Sequence, residues 1–215
     1  NFKTDKHMKK LVLFLILLLS PVIIYGEQNV TVETDKKAIL PDSRTHPYSF
    51  ALRTSFLFDI MLIPTVGAEW RMNENYGVKL DGGFSSWGSN TGSSVQKIWF
   101  VRPEVRRYLG VKKNFYAGAS SNIGEYNIYK GMVGSIISDD TGYDGKFFNI
   151  GVCGGCLWHI SQKIAFDFNI GMGYNKFKYD SFTKEDKTRV YKKKNKTNEF
   201  FGPTQICVSL VWKIN

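Results

Sequence analysis

The chain has 215 residues, of which 43% are hydrophobic, and its 29 Lys and Arg against 19 Asp and Glu give a net charge of +10. Its length allows a full hydrophobic core, and its three cysteines cannot all pair with one another, which argues against a disulfide scaffold. The positive charge does not indicate a nucleic-acid partner, because it is concentrated in one loop of a chain that is predicted to be exported.

The N-terminal residues 1–26 are predicted to be upstream residues followed by a secretory signal peptide. Lys9 and Lys10 precede an apolar run over 11–25, and Gly26 separates this run from the polar sequence EQNVTVETDKK. A transmembrane helix is the competing interpretation, but the run is shorter than the roughly 20 residues that a bilayer requires. We therefore expect cleavage near Gly26, a flexible linker over 27–48 and one domain over 49–215.

Strand periodicity begins at Ser49, where apolar and polar residues start to alternate. The first three predicted strands are SFALRTSFLFD, TVGAEWRM and YGVKLDGGF. In the first of them, the alternation places Phe50, Leu52, Phe56 and Phe58 on one face. Each of these strands has one apolar and one polar face.

The remaining five predicted strands include one with an internal proline. The fourth, IWFVRPEVRRYL, contains Pro103, which removes a ladder hydrogen bond, and we interpret this residue as a β-bulge. The fifth, from about Phe115 to Tyr129, is small and polar on both faces. The last three are FFNIGVCGGCLWHI, KIAFDFNIGMGY and GPTQICVSLVWKI.

The connections after the first alternate between short and long. NEN, GVKKN and ISQ are short, whereas SSWGSNTGSSVQK, GMVGSIISDDTGYDG and the stretch 176–201 are long. Short periplasmic turns and long outer loops are typical of bacterial outer-membrane barrels, and strands of about ten residues cross a bilayer at a tilt. The sequence therefore predicts an all-β fold, an eight-stranded antiparallel transmembrane β-barrel in the bacterial outer membrane, in contact with lipid and lipopolysaccharide.

Aromatic residues on the apolar faces fall near both ends of the strands. The predicted belts are Tyr76, Trp158, Phe166 and Trp212 near the short turns, and Phe84, Trp99, Phe148 and Tyr174 near the long loops. Two such belts are typical of membrane barrels. The alternative is a soluble lipocalin-like barrel, which turns its apolar faces inward around a ligand and has no need of aromatics at both strand ends.

Charged residues of both signs occupy the faces that are predicted to point inward. They are Arg53, Glu69, Arg71, Lys79, Asp81, Arg102, Glu104, Arg106 and Asp167. They form either a transport path or a lattice of buried ion pairs. We favour the lattice, because an eight-stranded barrel is only wide enough for side chains to fill and an unpaired buried charge is costly.

The motif GVCGGCLWH raises the question of a redox or metal site. On a strand, Cys153 and Cys156 point to opposite faces and cannot bond each other, and Cys207 is predicted to point inward. The enzymatic alternative for His159 is a lipid A deacylase, which uses a histidine and a serine. Such an enzyme acts at the outer leaflet, whereas His159 is expected at the periplasmic rim. We therefore predict no catalytic, metal or cofactor site and no enzymatic activity.

The predicted final loop over 176–200 holds nine basic and four acidic residues. It is either a solvated loop or a contact surface. In the second case Lys192, Lys193, Lys194 and Lys196 lie just above the outer leaflet, where they pair with lipopolysaccharide phosphates or an acidic partner.

Four stretches in order, FALRTSFLFDIMLIPTVGAEW, RPEVRRYLG, IAFDFNIGMGY and FGPTQICVSLVWKI, carry a family resemblance. From about Ser49 to Lys213 the chain resembles an uncharacterised family of small outer-membrane barrels of Bacteroidales, a domain of unknown function. The resemblance implies a role as an accessory of surface structures, since members are often encoded near fimbrillin-type genes, and it implies surface-appendage proteins as partners. It carries over no catalytic or binding residues.

The resulting hypothesis is a non-enzymatic outer-membrane barrel with a structural or surface-accessory role linked to fimbria or adhesin display. Two alternatives remain open, a lipid-modifying outer-membrane enzyme and a small-solute channel. The sequence does not indicate the oligomeric state.

Overall fold

In a computed structural model of the chain, residues 48–88, 94–130, 133–134, 141–185 and 188–214 are described. The predicted signal segment and the predicted linker up to residue 47 lie outside these residues. Within the described ranges, no helix is long and apolar enough to span a membrane. The elements are β1 (Phe50–Ser55), α1 (Phe56–Ile60), β2 (Thr65–Arg71), β3 (Tyr76–Gly88), β4 (Val95–Leu109), β5 (Phe115–Tyr129), β6 (Gly142–His159), β7 (Ile164–Glu185) and β8 (Thr188–Ile214).

The eight strands form a closed antiparallel ring. Each strand pairs with its neighbour in sequence, and β8 closes the ring by pairing with β1 from Phe50↔Ile214 to Ser55↔Ser209. The prediction of an all-β fold with eight antiparallel strands is therefore confirmed. Buried and exposed residues alternate along β4, because successive side chains of a strand point to opposite faces.

The first strand is shorter than predicted. It ends at Ser55, and Phe56 and Phe58 lie in helix α1, so the predicted strand is wrong beyond Ser55. Asp59 explains the change of direction. Its carboxylate accepts hydrogen bonds from the Thr54 hydroxyl, at 2.6 Å, and from the first backbone N–H of β2, at 3.0 Å, which ties the connection back onto the strand ends.

Pro103 does not cause the predicted β-bulge. Between β4 and β5 the register is the same on both sides of the proline, with Val101↔Ile123 before it and Glu104↔Ser120 after it. No residue is inserted, so the prediction of a bulge is wrong. The ladder to β5 stops at Val101 and resumes at Glu104, which accommodates the missing N–H of proline locally.

The last two strands form a long hairpin where the sequence predicts a solvated loop. β7 continues to Glu185 and β8 starts at Thr188, so the predicted loop over 176–200 is wrong. The register shifts around Tyr179–Phe182, and Asn195 has a φ of 53°, which marks a bulged part of β8. Beyond Ser209, towards the hairpin tip, β8 extends past its pairing with β1.

Apolar clusters occupy both ends of the interior, and charged residues lie between them. The inward residues of β4 show this order, since Phe100 precedes Arg102, Glu104 and Arg106, and Tyr108 follows them. The cluster at the short-turn end contains Tyr48, Ala51, Tyr108, Tyr116, Leu157, Ala165 and Val211. The cluster at the other end contains Ile63, Ile98, Phe100 and Ile128, with Phe58, Met61, Tyr126, Val133 and Phe147 packed against it.

Candidate functional site

The candidate site is a network of buried charges inside the ring, here called the interior charge network. Strands β1, β2, β3, β4 and β7 each place acidic or basic side chains on their inward faces, because alternate residues of a strand share one face. The structure brings together all nine residues that the sequence predicts for the interior. They are Arg53, Glu69, Arg71, Lys79, Asp81, Arg102, Glu104, Arg106 and Asp167.

Glu69 is the acceptor on which three of the five cations converge. Arg53 Nη1 lies 2.8 Å and Arg106 Nη1 lies 3.1 Å from its Oε2 atom. The hydroxyls of Tyr48, at 2.7 Å, and of Tyr108 donate to its Oε1 atom. Glu69 is fully buried, so these donors replace the water that a carboxylate otherwise requires.

Asp167 and Glu104 share the Arg106 guanidinium. Arg106 Nη2 lies 2.9 Å from Asp167, and its Nε lies 2.5 Å from Glu104. Asp167 also pairs with Arg53 and accepts a hydrogen bond from the Tyr116 hydroxyl at 2.6 Å. Each of the two carboxylates therefore faces more than one donor.

Asp81 connects the network to the long-loop end of the interior. Lys79 Nζ lies 3.0 Å from Asp81 and 2.8 Å from Glu104, and Arg102 Nη2 lies 3.0 Å from Asp81. Gly67 leaves room for this arrangement, because a Cβ atom there would lie 2.1 Å from Asp81 Oδ1. The nine residues comprise five cations and four anions, so the network carries a charge of 5 − 4 = +1.

Several uncharged residues complete the network in addition to the nine predicted charges. Asn169 and Gln205 donate to Glu104 at 3.2 and 3.1 Å, and Gln205 also donates to Asn169 at 2.6 Å. Asn169 lies two residues after Asp167, so the same alternation that identifies the charge identifies the amide. Gln205 lies on the neighbouring strand β8, two residues before Cys207, so the alternation that places Cys207 inward also places Gln205 inward.

Tyr48 also belongs to the site, although it is the last residue of the predicted flexible linker. It is buried, and Arg71 lies over its ring at 4.1 Å and over the ring of Tyr108 at 3.7 Å. Tyr48 precedes β1, and burial together with the Glu69 carboxylate raises the pKa of its phenol. The hydroxyl therefore remains a neutral donor to Glu69.

The comparison with known proteins identifies a family. The profile of the family described as "Protein of unknown function (DUF3575)" matches residues 13–214, a range that includes all eight strands. The chain belongs to this family. No curated protein matches the chain. The predicted resemblance to a domain of unknown function is thereby confirmed, whereas its Bacteroidales and outer-membrane parts remain predictions.

The cysteines of this DUF3575 member are all free. Cys153 is buried inside the ring and Cys156 is half-buried on the opposite face of β6, so the predicted opposite orientation is confirmed. Cys207 is buried, as predicted, with its Sγ 3.0 Å from Arg102 Nη1.

His159 is the last residue of β6, beside the short turn to β7. In the described ranges, no group of three or more His, Cys, Asp or Glu is arranged to hold a metal ion.

The four predicted contact lysines lie apart from the interior charge network. They are Lys192, Lys193, Lys194 and Lys196, all exposed on the outer part of β8. Lys193 pairs with Ser181 and Lys196 with Tyr179 across the hairpin. Lys194 lies 4.9 Å from the Tyr191 ring. These lysines form an exposed basic surface on the hairpin.

Proposed function

We propose that the chain is a non-enzymatic β-barrel of the bacterial outer membrane with a structural or surface-accessory role. The observation that carries this proposal is the distribution of side chains on the ring: charges fill the interior, and large apolar residues such as Val66, Val105 and Val152 are exposed on the outer wall. A soluble ring buries its apolar face, whereas a ring in a bilayer turns that face to lipid. The outer wall therefore favours a membrane environment.

The aromatic side chains of the outer wall support the same proposal. Tyr76, Trp158 and Trp212 are exposed near the short turns. Phe84, Trp99, Phe148 and Tyr174 are exposed towards the other end of the ring. Belts of this kind lie at the two interfaces of a membrane barrel, with the short turns on the periplasmic side.

A structural role agrees better with the interior charge network than catalysis or transport does. Its four carboxylates each face at least two cationic or polar donors, so none is left available as a general base or a ligand. The apolar clusters at both ends of the network obstruct a continuous path for water.

The link to fimbria or adhesin display follows from the resemblance alone. The exposed hairpin is the surface that would meet a surface-appendage protein or another acidic partner.

Fractionation and heat treatment test the proposed location. We expect the mature chain in the outer-membrane fraction, and the folded protein in detergent should migrate faster unheated than boiled, because a closed barrel resists unfolding by detergent. An outer-membrane porin and a soluble periplasmic protein serve as controls in the same gels. Recovery of the chain with the soluble periplasmic control would refute the proposal.

Planar-bilayer recordings distinguish the structural role from a channel. The purified protein should give no stable conductance steps, because arginine side chains and apolar clusters fill the interior of an eight-stranded ring. A porin inserted in the same bilayers provides the positive control. Reproducible ion-selective openings of the wild-type protein would show that the charges line a pore.

A further inference from the structure

Three lysines lie side by side on the outer wall of β6 and β7, next to the aromatic residues Phe148 and Tyr174. Lys146 is the direct cross-strand partner of Lys178, and Lys176 is the partner of Phe148. Directly paired residues share one face, with Cβ atoms about 5 Å apart, and like charges in this arrangement repel each other. The pairing of Lys146 with Lys178 therefore favours an anion that binds both ammonium groups.

Two glutamates flank the three lysines on the neighbouring strands. Lys146 Nζ lies 2.6 Å from Glu125 of β5, and Lys176 Nζ lies 2.6 Å from Glu199 of β8. These pairs are exposed, with 76% of the Lys146 side chain accessible, so each contributes little to stability. In the described part of the chain Lys178 has no carboxylate within ion-pair distance. The centre of the cluster is thus positive and its two edges are acidic.

The distance from the aromatic belt decides which lysines reach lipid phosphates. Lys176 and Lys178 lie two and four residues beyond Tyr174 on β7. At about 3.3 Å per residue and a strand tilt of about 40°, this places them about 5 and 10 Å above the belt. The headgroup region of one leaflet is about 5–8 Å thick, so the backbone of Lys176 lies at its level. The backbone of Lys178 lies a few ångströms beyond it, a distance that a flexible lysine side chain can span.

The hairpin lysines lie farther out. Lys193 pairs with Ser181, which is seven residues beyond Tyr174, and the same rise and tilt place it about 18 Å above the belt. The hairpin lysines therefore suit an extracellular partner better than the membrane surface.

We propose that Lys146, Lys176 and Lys178 bind the phosphate groups of lipid A, the anionic glycolipid of the outer leaflet. This proposal rests on the proposed outer-membrane function, which places the lysines at that leaflet. A lysine ammonium is a compact point charge that binds phosphate without a fixed geometry. The three lysines on two adjacent strands offer several such donors to one phosphorylated sugar.

Two triple variants with the same loss of charge test the site. The wall variant is K146Q/K176Q/K178Q, and the matched control is K192Q/K193Q/K194Q on the hairpin. Each protein is folded into neutral phosphatidylcholine vesicles and titrated with diphosphoryl lipid A, with the heat-induced change in gel mobility as a check of folding. One basic residue near an anionic surface contributes roughly fivefold in affinity, so the wall variant should bind roughly 100-fold more weakly, and the control should bind like the wild type.

A third variant is expected to change affinity in the opposite direction. E125Q/E199Q removes the flanking carboxylates that compete for Lys146 and Lys176, so it should bind diphosphoryl lipid A several-fold more tightly than the wild type. This result keeps the proposal testable if the wall variant does not fold. Lipid A without phosphates should bind weakly to all variants.

Three outcomes would overturn the site. They are an equal loss of affinity in the hairpin control, unchanged affinity in the wall variant, and equally tight binding of phosphatidylglycerol through the same lysines. In each case the outer-membrane function remains supported if the wild-type protein still inserts and shows the heat-dependent mobility. A wild-type protein that does not insert at all refutes that function as well, so the two failures are distinguishable.

Discussion

The variant Glu69→Gln is expected to lose about 3–5 kcal/mol of unfolding free energy, because it removes one partner from a buried ion-pair network. Arg53 and Arg106 both contact Glu69 and remain buried when its charge is gone. The network then holds five cations against three anions. Urea titrations of the folded protein in detergent micelles, followed by tryptophan fluorescence, measure the loss.

Glu74→Gln is the matched control, since Glu74 is exposed in the turn between β2 and β3. It removes the same charge and should leave the unfolding midpoint unchanged. The double variant Glu69→Gln with Arg53→Met should recover part of the lost stability, because it removes a guanidinium that has lost a partner. A loss below about 1 kcal/mol for Glu69→Gln would instead indicate that water reaches the interior and screens its charges.

The period-2 alternation predicts the face of each strand residue better than it predicts the strand ends. Arg102 and Asp167 are inward as expected, even though β4 starts earlier and β7 ends later than predicted. A side chain's face depends only on local parity. The partners across the ring depend on the register of all eight strands, so the contact of Arg53 with Asp167, 114 residues apart, has no signal in the sequence.

Two segments differ from the prediction because specific side-chain contacts, and not an alternating apolar pattern, determine their structure. The alternation of Phe50 and Leu52 continues into α1, but the hydrogen bonds of Asp59 end the strand. In the hairpin neither face reads as consistently apolar, so the sequence resembles a loop. Cross-strand contacts stabilise it instead, for example the stacked rings of Phe177 and Phe200, whose centroids lie 6.0 Å apart.

Val152→Arg tests the membrane proposal at a single position. Val152 is 68% exposed on the outer wall of β6, four residues from Phe148 and six from Trp158, which mark the two aromatic belts. An arginine near the middle of the lipid-facing band of a membrane barrel costs about 2–4 kcal/mol. We therefore expect the variant to fold poorly into vesicles and to lose stability by this amount in urea titrations.

The same substitution has the opposite expectation in water, which makes the test decisive. In a soluble ring, replacing an exposed valine with arginine changes the free energy of unfolding by less than about 0.5 kcal/mol, since surface substitutions away from packed features are nearly neutral. Val111→Arg is the matched control, because Val111 is fully exposed in the short turn between β4 and β5 and should tolerate arginine in both environments. If Val152→Arg folds as well as Val111→Arg, the outer wall does not face lipid, and the apolar surface must instead be covered by another protein.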